Sequence, residues 1–330
     1  MRLPISGLLI VLTMAPAWTS RAIAADTTVT PTPEPALTSK SADPAPPIER
    51  LPYRIEVHLF IDPATRIDDS RRGLLLEEWR LLLDRFVGPP WALTVHSGPS
   101  PLAGRPIEGL TPELCSELGT DFDKFWIVGI GPDSESGGYR LTGREYDVAT
   151  QRLGPMQSKP AIVDAELPRA LLGFSIELFN PVAIISGEEG GKALLTVRGG
   201  LLTPASPAGA VASKGTVFIP LRVTTNREGK PLILRIPYTY LRVDSIEGAV
   251  ARCEFVKGIS DPLSKRWSRP YSFAAIGIKP GDSPLRLRFV TRKDKAEVPA
   301  AGYLLTTRDV PDGIPREVGV TDRSGRISIK

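Results

Sequence analysis

Residues 53–62 read Tyr-Arg-Ile-Glu-Val-His-Leu-Phe-Ile-Asp. Tyr53, Ile55, Val57, Leu59 and Ile61 share one face and Arg54, Glu56 and His58 the other, the two-residue period of a half-buried strand. Directly afterwards the period changes. Asp68-Asp69-Ser70 offers side-chain oxygens to cap a helix. Leu74, Leu75, Leu76, Trp79, Leu82, Leu83 and Phe86 then recur at helical spacing, until Gly88-Pro89-Pro90 ends the run. A second strand follows from Trp91 to His96. Strand, helix, strand at this spacing opens a mixed α/β domain.

Downstream, Thr111-Pro112-Glu113 puts a capping threonine before a first-turn proline and predicts a short helix through Leu118. Phe125 to Ile130 is a continuous apolar strand. Gly138 to Tyr146 reads as its hairpin partner, with residues 132–137 as the turn. Ala165 to Phe179 is an amphipathic helix, and Val182 to Ile185 and Ala193 to Val197 are two further strands. Residues 51–202 are thereby expected to form the mixed α/β domain. From Gly215 the helical period disappears. Alternating runs near 217–223, 232–236, 240–246 and 249–256, separated by turns such as Asn226-Arg227-Glu228-Gly229 and Glu247-Gly248, predict a small antiparallel barrel-like module over 203–262.

The last expected unit covers 270–330. Leu285-Arg286-Leu287-Arg288-Phe289-Val290 is a strand, Ala301-Gly302-Tyr303-Leu304-Leu305 begins another, and residues 318–329 form a hairpin around Thr321-Asp322-Arg323-Ser324-Gly325. This pattern resembles carboxypeptidase-regulatory-like, transthyretin-type β-sandwich modules, with Asp322 opening the turn and Gly325 taking the positive-φ position. The resemblance covers about 45 residues and implies an accessory fold for scaffolding or binding. A complete sandwich would supply further strands beyond Lys330, so the module is read as either unusually short or truncated.

Upstream of Tyr53, Arg2 precedes an apolar run from Leu3 to Trp18, then Thr19-Ser20-Arg21 and the small-x-small Ala22-Ile23-Ala24. Basic, apolar, then small is the order of a secretory signal peptide, here residues 1–24. About 15 apolar residues broken by Pro4, Gly7 and Pro16 fall short of the roughly 20 that span a bilayer, so no transmembrane span is expected after cleavage. Residues 25–50, rich in threonine and proline, have little to bury and read as an extended tether. The expected location is the periplasm or the cell surface.

The chain of 330 residues is 42% hydrophobic and 24% charged, as globular proteins are, and its net charge is +4. So small an excess gives no ground for a nucleic-acid partner. Cys115 and Cys253 stand too far apart for a local disulfide framework and are expected as buried free thiols.

Catalytic motifs fail on inspection. Gly173-Phe174-Ser175-Ile176-Glu177 has half of a nucleophile elbow and lies inside a helix. Ser186-Gly187-Glu188-Glu189-Gly190-Gly191-Lys192-Ala193 puts two carboxylates where a phosphate loop would seat phosphate, and reads as a hairpin turn. His58 and His96 lie on strands that can be neighbours, but two histidines are too few for zinc without a distant third ligand, so both are expected as solvated strand residues. No catalytic residue, metal or cofactor is therefore assigned. The one stretch singled out for partner binding is Lys265, Arg266, Trp267, Arg269 and Tyr271, where cations alternate with aromatics.

The fold class expected is α+β multidomain: a mixed α/β domain, a small antiparallel barrel-like module and an incomplete β-sandwich. The function expected is that of an exported, non-enzymatic envelope protein that binds an envelope protein or polysaccharide. The rival is an envelope hydrolase whose site draws on His58, His96 and Asp62.

Overall fold

The alternating stretch forms strand β1 (Tyr53–Ile61), and the first half of the fold is laid out around it. The computed structural model describes residues 46–226, 228–229, 231–257, 272–279, 285–293, 296–307 and 314–329. After β1 comes helix α1 (Asp69–Phe86), capped by Asp68, whose carboxylate accepts from the Arg71 amide at 2.8 Å. The helix buries Leu75, Trp79 and Leu83. It ends where Gly88 takes a φ of 67°, and β2 (Trp91–Val95) then runs parallel to β1, as a helical crossover allows.

Helix α2 (Pro112–Ser116) precedes β3 (Lys124–Pro132), which pairs parallel with the other edge of β1. β3 turns into the antiparallel β4 (Tyr139–Asp147), as the hairpin signal predicts. Two short strands not read from the sequence, β5 (Arg152–Leu153) and β6 (Gln157–Ala161), both pair with β4. Gly154, Pro155 and Pro160 break the alternation that would have revealed them. Helix α3 (Leu167–Leu178) closes this part. The sheet order is β2-β1-β3-β4-β5, with β6 also on β4.

The second sheet is built from β7 (Val182–Glu189), β8 (Lys192–Val197), β9 (Val217–Thr225), β10 (Pro231–Arg235), β11 (Thr239–Glu247), β12 (Val250–Lys257) and β13 (Ser272–Ile278). Its order is β10-β9-β11-β12-β8-β7-β13, and β13 pairs again with β9. Six strands thus form a closed barrel, with β10 outside it. The boundary expected at residue 202 does not separate two sheets, because β7 and β8 lie in the barrel. Nor does the 262–270 boundary, because β13 closes it. Ala183, Ala193, Ala251 and Ala275, all fully buried, fill the interior together with Phe218 and Leu241, as the narrow lumen of a small barrel requires.

Beyond β13 lie three two-stranded pairings: β14 (Leu285–Arg288) with β19 (Arg326–Ile329), β15 (Val290–Lys293) with β16 (Ala296–Pro299), and β17 (Leu304–Thr307) with β18 (Arg316–Val320). In the turn before β19 the Asp322 carboxylate accepts from the Ser324 and Arg326 amides, both at 2.8 Å, and Gly325 has φ 73°. A Cβ on Gly325 would stand 2.3 Å from the Phe289 carbonyl oxygen, so glycine is required there on two counts.

The described chain is mostly β, and residues 45–330 form one compact unit. Its largest core lies between α1, α3 and the first sheet, and continues into the barrel through Ile219, Leu221 and Ile276. A third cluster covers the opposite face of the first sheet, with Leu102, Ile107, Cys115, Phe125 and Tyr146. Both cysteines are free and buried, as expected, and burial pushes the Cys115 thiol up to about 11 and Cys253 up to about 12, which leaves both unreactive.

Tyr53 ties the two sheets together. Its hydroxyl accepts from the Val182 amide at 2.8 Å and donates to the Val182 carbonyl at 3.2 Å. Tyr53→Phe is therefore expected to cost about 1–3 kcal/mol in urea denaturation, since the Val182 amide loses the hydroxyl where water does not reach, while the Val182 carbonyl keeps the Arg198 amide at 3.0 Å. A loss below about 0.5 kcal/mol would mean that the ladder alone seats β7.

Candidate functional site

The two histidines are brought together, by neighbouring parallel strands. Val57 stands opposite Val95 in the ladder, and the His96 amide extends it by donating to the Val57 carbonyl at 2.9 Å. His96 thereby lands beside His58, with the rings stacked at 4.5 Å between centroids. Glu56, two residues before His58 and hence on the same face of β1, reaches both. Its Oε2 lies 3.2 Å from His58 Nε2 and its Oε1 lies 3.1 Å from His96 Nδ1.

The expectation of solvated histidines is corrected for His58, which is 2% exposed. Residues of the third cluster cover this face of the sheet, and the Phe125 ring lies 6.0 Å from the imidazole. Burial pushes the His58 imidazole below its ordinary range. Glu56 pulls it back up, and His96 lowers it further. Asp62 does not join the pair: its carboxylate accepts from the Ala64 amide at 2.8 Å and caps the turn after β1. Among the described residues the group that could hold a metal is Glu56, His58 and His96, one ligand atom from each lying within 4.8 Å of the others.

A second cluster is deeper and purely ionic. Lys124, fully buried, reaches Glu145 Oε1 at 3.0 Å and Asp147 Oδ2 at 2.8 Å, and sits 5.4 Å from the centroids of both Tyr53 and Phe179. Glu145 also accepts from the Trp126 indole at 2.9 Å and from the Asn180 amide at 3.0 Å. Asp147 accepts from the Thr150 amide and hydroxyl. Burial alone would depress the Lys124 ammonium, but Asp147 and Glu145 hold it above its usual value. With its acceptors this saturated, the cluster is a structural centre.

A third feature is a cleft of about 410 Å³ at the junction of the two sheets. Arg152, Arg235 and Lys279 line it, and Ile219 and Ile276 contribute apolar wall. Arg235 donates to the Tyr240 hydroxyl at 2.8 Å and Lys279 to the Ile176 carbonyl. None of the three cations has a carboxylate partner among the described residues, and the one carboxylate in the lining, Glu145, is taken by Lys124, Trp126 and Asn180. Burial draws the Arg152 guanidinium below its usual range, and Arg235 adds like-charge repulsion. Burial likewise lowers Lys279, against the pull of Glu145.

The basic stretch expected to bind a partner, Lys265, Arg266, Trp267, Arg269 and Tyr271, lies outside the described residues. Ser175, in the rejected elbow, is buried in α3 and donates to the Leu171 carbonyl at 2.7 Å. Glu188 to Lys192 is the β7–β8 hairpin, turning on Gly190 and Gly191 at positive φ. Among the described residues no helix is long and apolar enough to cross a membrane.

No family model and no curated protein matches the chain. Among solved structures, the crystal structure of TolB from Acinetobacter baumannii is similar over 82% of this chain and 84% of that one, at 12% identity and a TM-score of 0.26. A likeness that slight supports no conclusion about fold or function.

Proposed function

We propose that this chain is an exported, non-enzymatic protein of the cell envelope, periplasmic or at the cell surface, that binds an anionic group of an envelope protein or polysaccharide. The observation that carries the reading is the cleft at the sheet junction, where three cations share one lining and none forms an ion pair among the described residues, Lys279 feeling Glu145 and Glu177 only at longer range. Cations held beside an apolar wall favour an anion that brings its own hydrophobic surface. Export rests on the order of residues 1–24 and the proline-threonine tether behind them. The strand pairings β14–β19, β15–β16 and β17–β18, with the resemblance of their sequence to transthyretin-type modules, fit a binding or spacing role. The hydrolase reading keeps one observation in its favour, the juxtaposition of His58 and His96, but loses Asp62 as the third member.

The test is capture of partners from envelope extract by the immobilised chain, with and without Arg152→Glu/Arg235→Glu. Charge reversal is expected to weaken retention of the captured component by roughly tenfold or more, and added salt to weaken wild-type retention. Equal retention by a variant with native circular dichroism would exclude the cleft as the binding site. Substrate turnover abolished by His96→Ala would transfer the function to the hydrolase reading.

A further inference from the structure

We propose that Glu56, His58 and His96 hold a divalent transition-metal ion. Charge is the first reason. The Glu56 side chain is 13% exposed, and the two imidazoles are its only ionic partners among the described residues. His58 has 1% of its side chain exposed. No lysine or arginine among the described residues pairs with this half-buried carboxylate, which leaves the site open to a cation.

Geometry is the second reason. A tetrahedral ion with metal–nitrogen bonds near 2.0–2.1 Å keeps its ligand atoms about 3.3 Å apart. Here Glu56 Oε2 stands 3.2 Å from His58 Nε2 and its Oε1 stands 3.1 Å from His96 Nδ1, and one ligand atom from each residue lies within 4.8 Å of the others. A side-chain adjustment within that spread would bring the three atoms onto one ion. Rigid elements hold the ligands: Glu56 and His58 are fixed by β1 between two parallel neighbours, and His96 by its amide bond to Val57.

The third reason is access. His96, with 27% of its side chain exposed, gives an ion a way in and leaves water room to complete the coordination. Two imidazoles and a carboxylate suit Zn²⁺, Co²⁺, Ni²⁺ or Cu²⁺ better than Mg²⁺ or Ca²⁺.

The experiment uses the full chain without a histidine tag, stripped with chelator and titrated with Zn²⁺ by calorimetry and with Co²⁺ by visible absorption. The expected result is one ion per chain, visible Co²⁺ bands that Zn²⁺ bleaches, and affinity more than tenfold weaker in His96→Ala and in Glu56→Gln. His96 is the most exposed ligand, so its variant is the one expected to keep the fold; circular dichroism and thermal melting verify this. Failure of the folded wild-type chain to take up Zn²⁺ or Co²⁺ would overturn the proposal. So would unchanged affinity in both variants, which would place the ion elsewhere. Loss of the metal leaves Arg152 and Arg235 untouched, so this result and the envelope-capture result stand or fall separately.

Discussion

Lys124→Ala is expected to lower stability by about 3–5 kcal/mol, because it strands two carboxylates in a place built around one ammonium. Glu145 and Asp147 are each about 2% exposed or less, and Lys124 is the cation that reaches both. The surrounding contacts raise the cost. Tyr53 and Phe179 face the ammonium with their rings, so alanine also leaves a void between two aromatics. Neutralising the carboxylates as well, in Lys124→Met/Glu145→Gln/Asp147→Asn, is expected to restore part of the loss. Glutamine can still accept from Trp126 and Asn180, and asparagine from Thr150. Urea denaturation of both variants checks this. A single variant within about 1 kcal/mol of wild type would mean that water reaches the cluster and screens it.

Parts of this centre were open to reading beforehand. The β3–β4 hairpin and its turn follow from the apolar run at 125–130 and the polar loop at 132–137. Counting outward from the turn pairs Pro132 with Tyr139, and the same register sets Lys124 against Asp147 and Trp126 against Glu145. The ion pair is therefore implicit in the hairpin. It escapes notice because a lysine and two acids at strand ends ordinarily mark where a strand leaves the core. His58 misleads for a related reason. Its alternation with Glu56 and Arg54 describes a polar face, and nothing local says that the 102–122 segment folds over that face. Glu56 could have been found as the third ligand, since a residue two positions before His58 on a strand points the same way. Asp62 shares that parity, but β1 ends at Ile61 and the carboxylate turns to its own loop.

Sheet membership was the least legible level. The strands at 182–185 and 193–197 are plain in the sequence, and so is the meander from 217 to 256. That they share one barrel depends on pairings such as Ala251 with Leu195 and Ala275 with Ala183, which join residues more than fifty positions apart. Alternation fixes which face of a strand is buried and carries no label for its neighbour. The small side chains along β7, β8, β12 and β13 do carry a hint. Ala183, Ala193, Ala251 and Ala275 would leave a void in an open sandwich, yet they fit a tightly curved interior.

The same shared strands predict how the molecule unfolds. Phe218 is fully buried inside the barrel, while its neighbours Ile219 and Leu221 face the core formed with α1, α3 and the first sheet. Phe218→Ala is expected to cost about 3–5 kcal/mol through lost burial and the cavity left behind. Because β9 serves both cores, the loss should be felt on both sides. Trp79, Trp91 and Trp126 all belong to the first sheet and its helix, so with Trp18 and Trp267 replaced by phenylalanine throughout, fluorescence reports that side, whereas far-ultraviolet circular dichroism reports the strands of both sheets. In wild type and variant alike, the two signals are expected to move with one midpoint, shifted together by the substitution. If fluorescence keeps the wild-type midpoint while the strand signal melts early, the barrel unfolds by itself. The apolar contacts of Ile219, Leu221 and Ile276 would then be too weak to couple the two sheets.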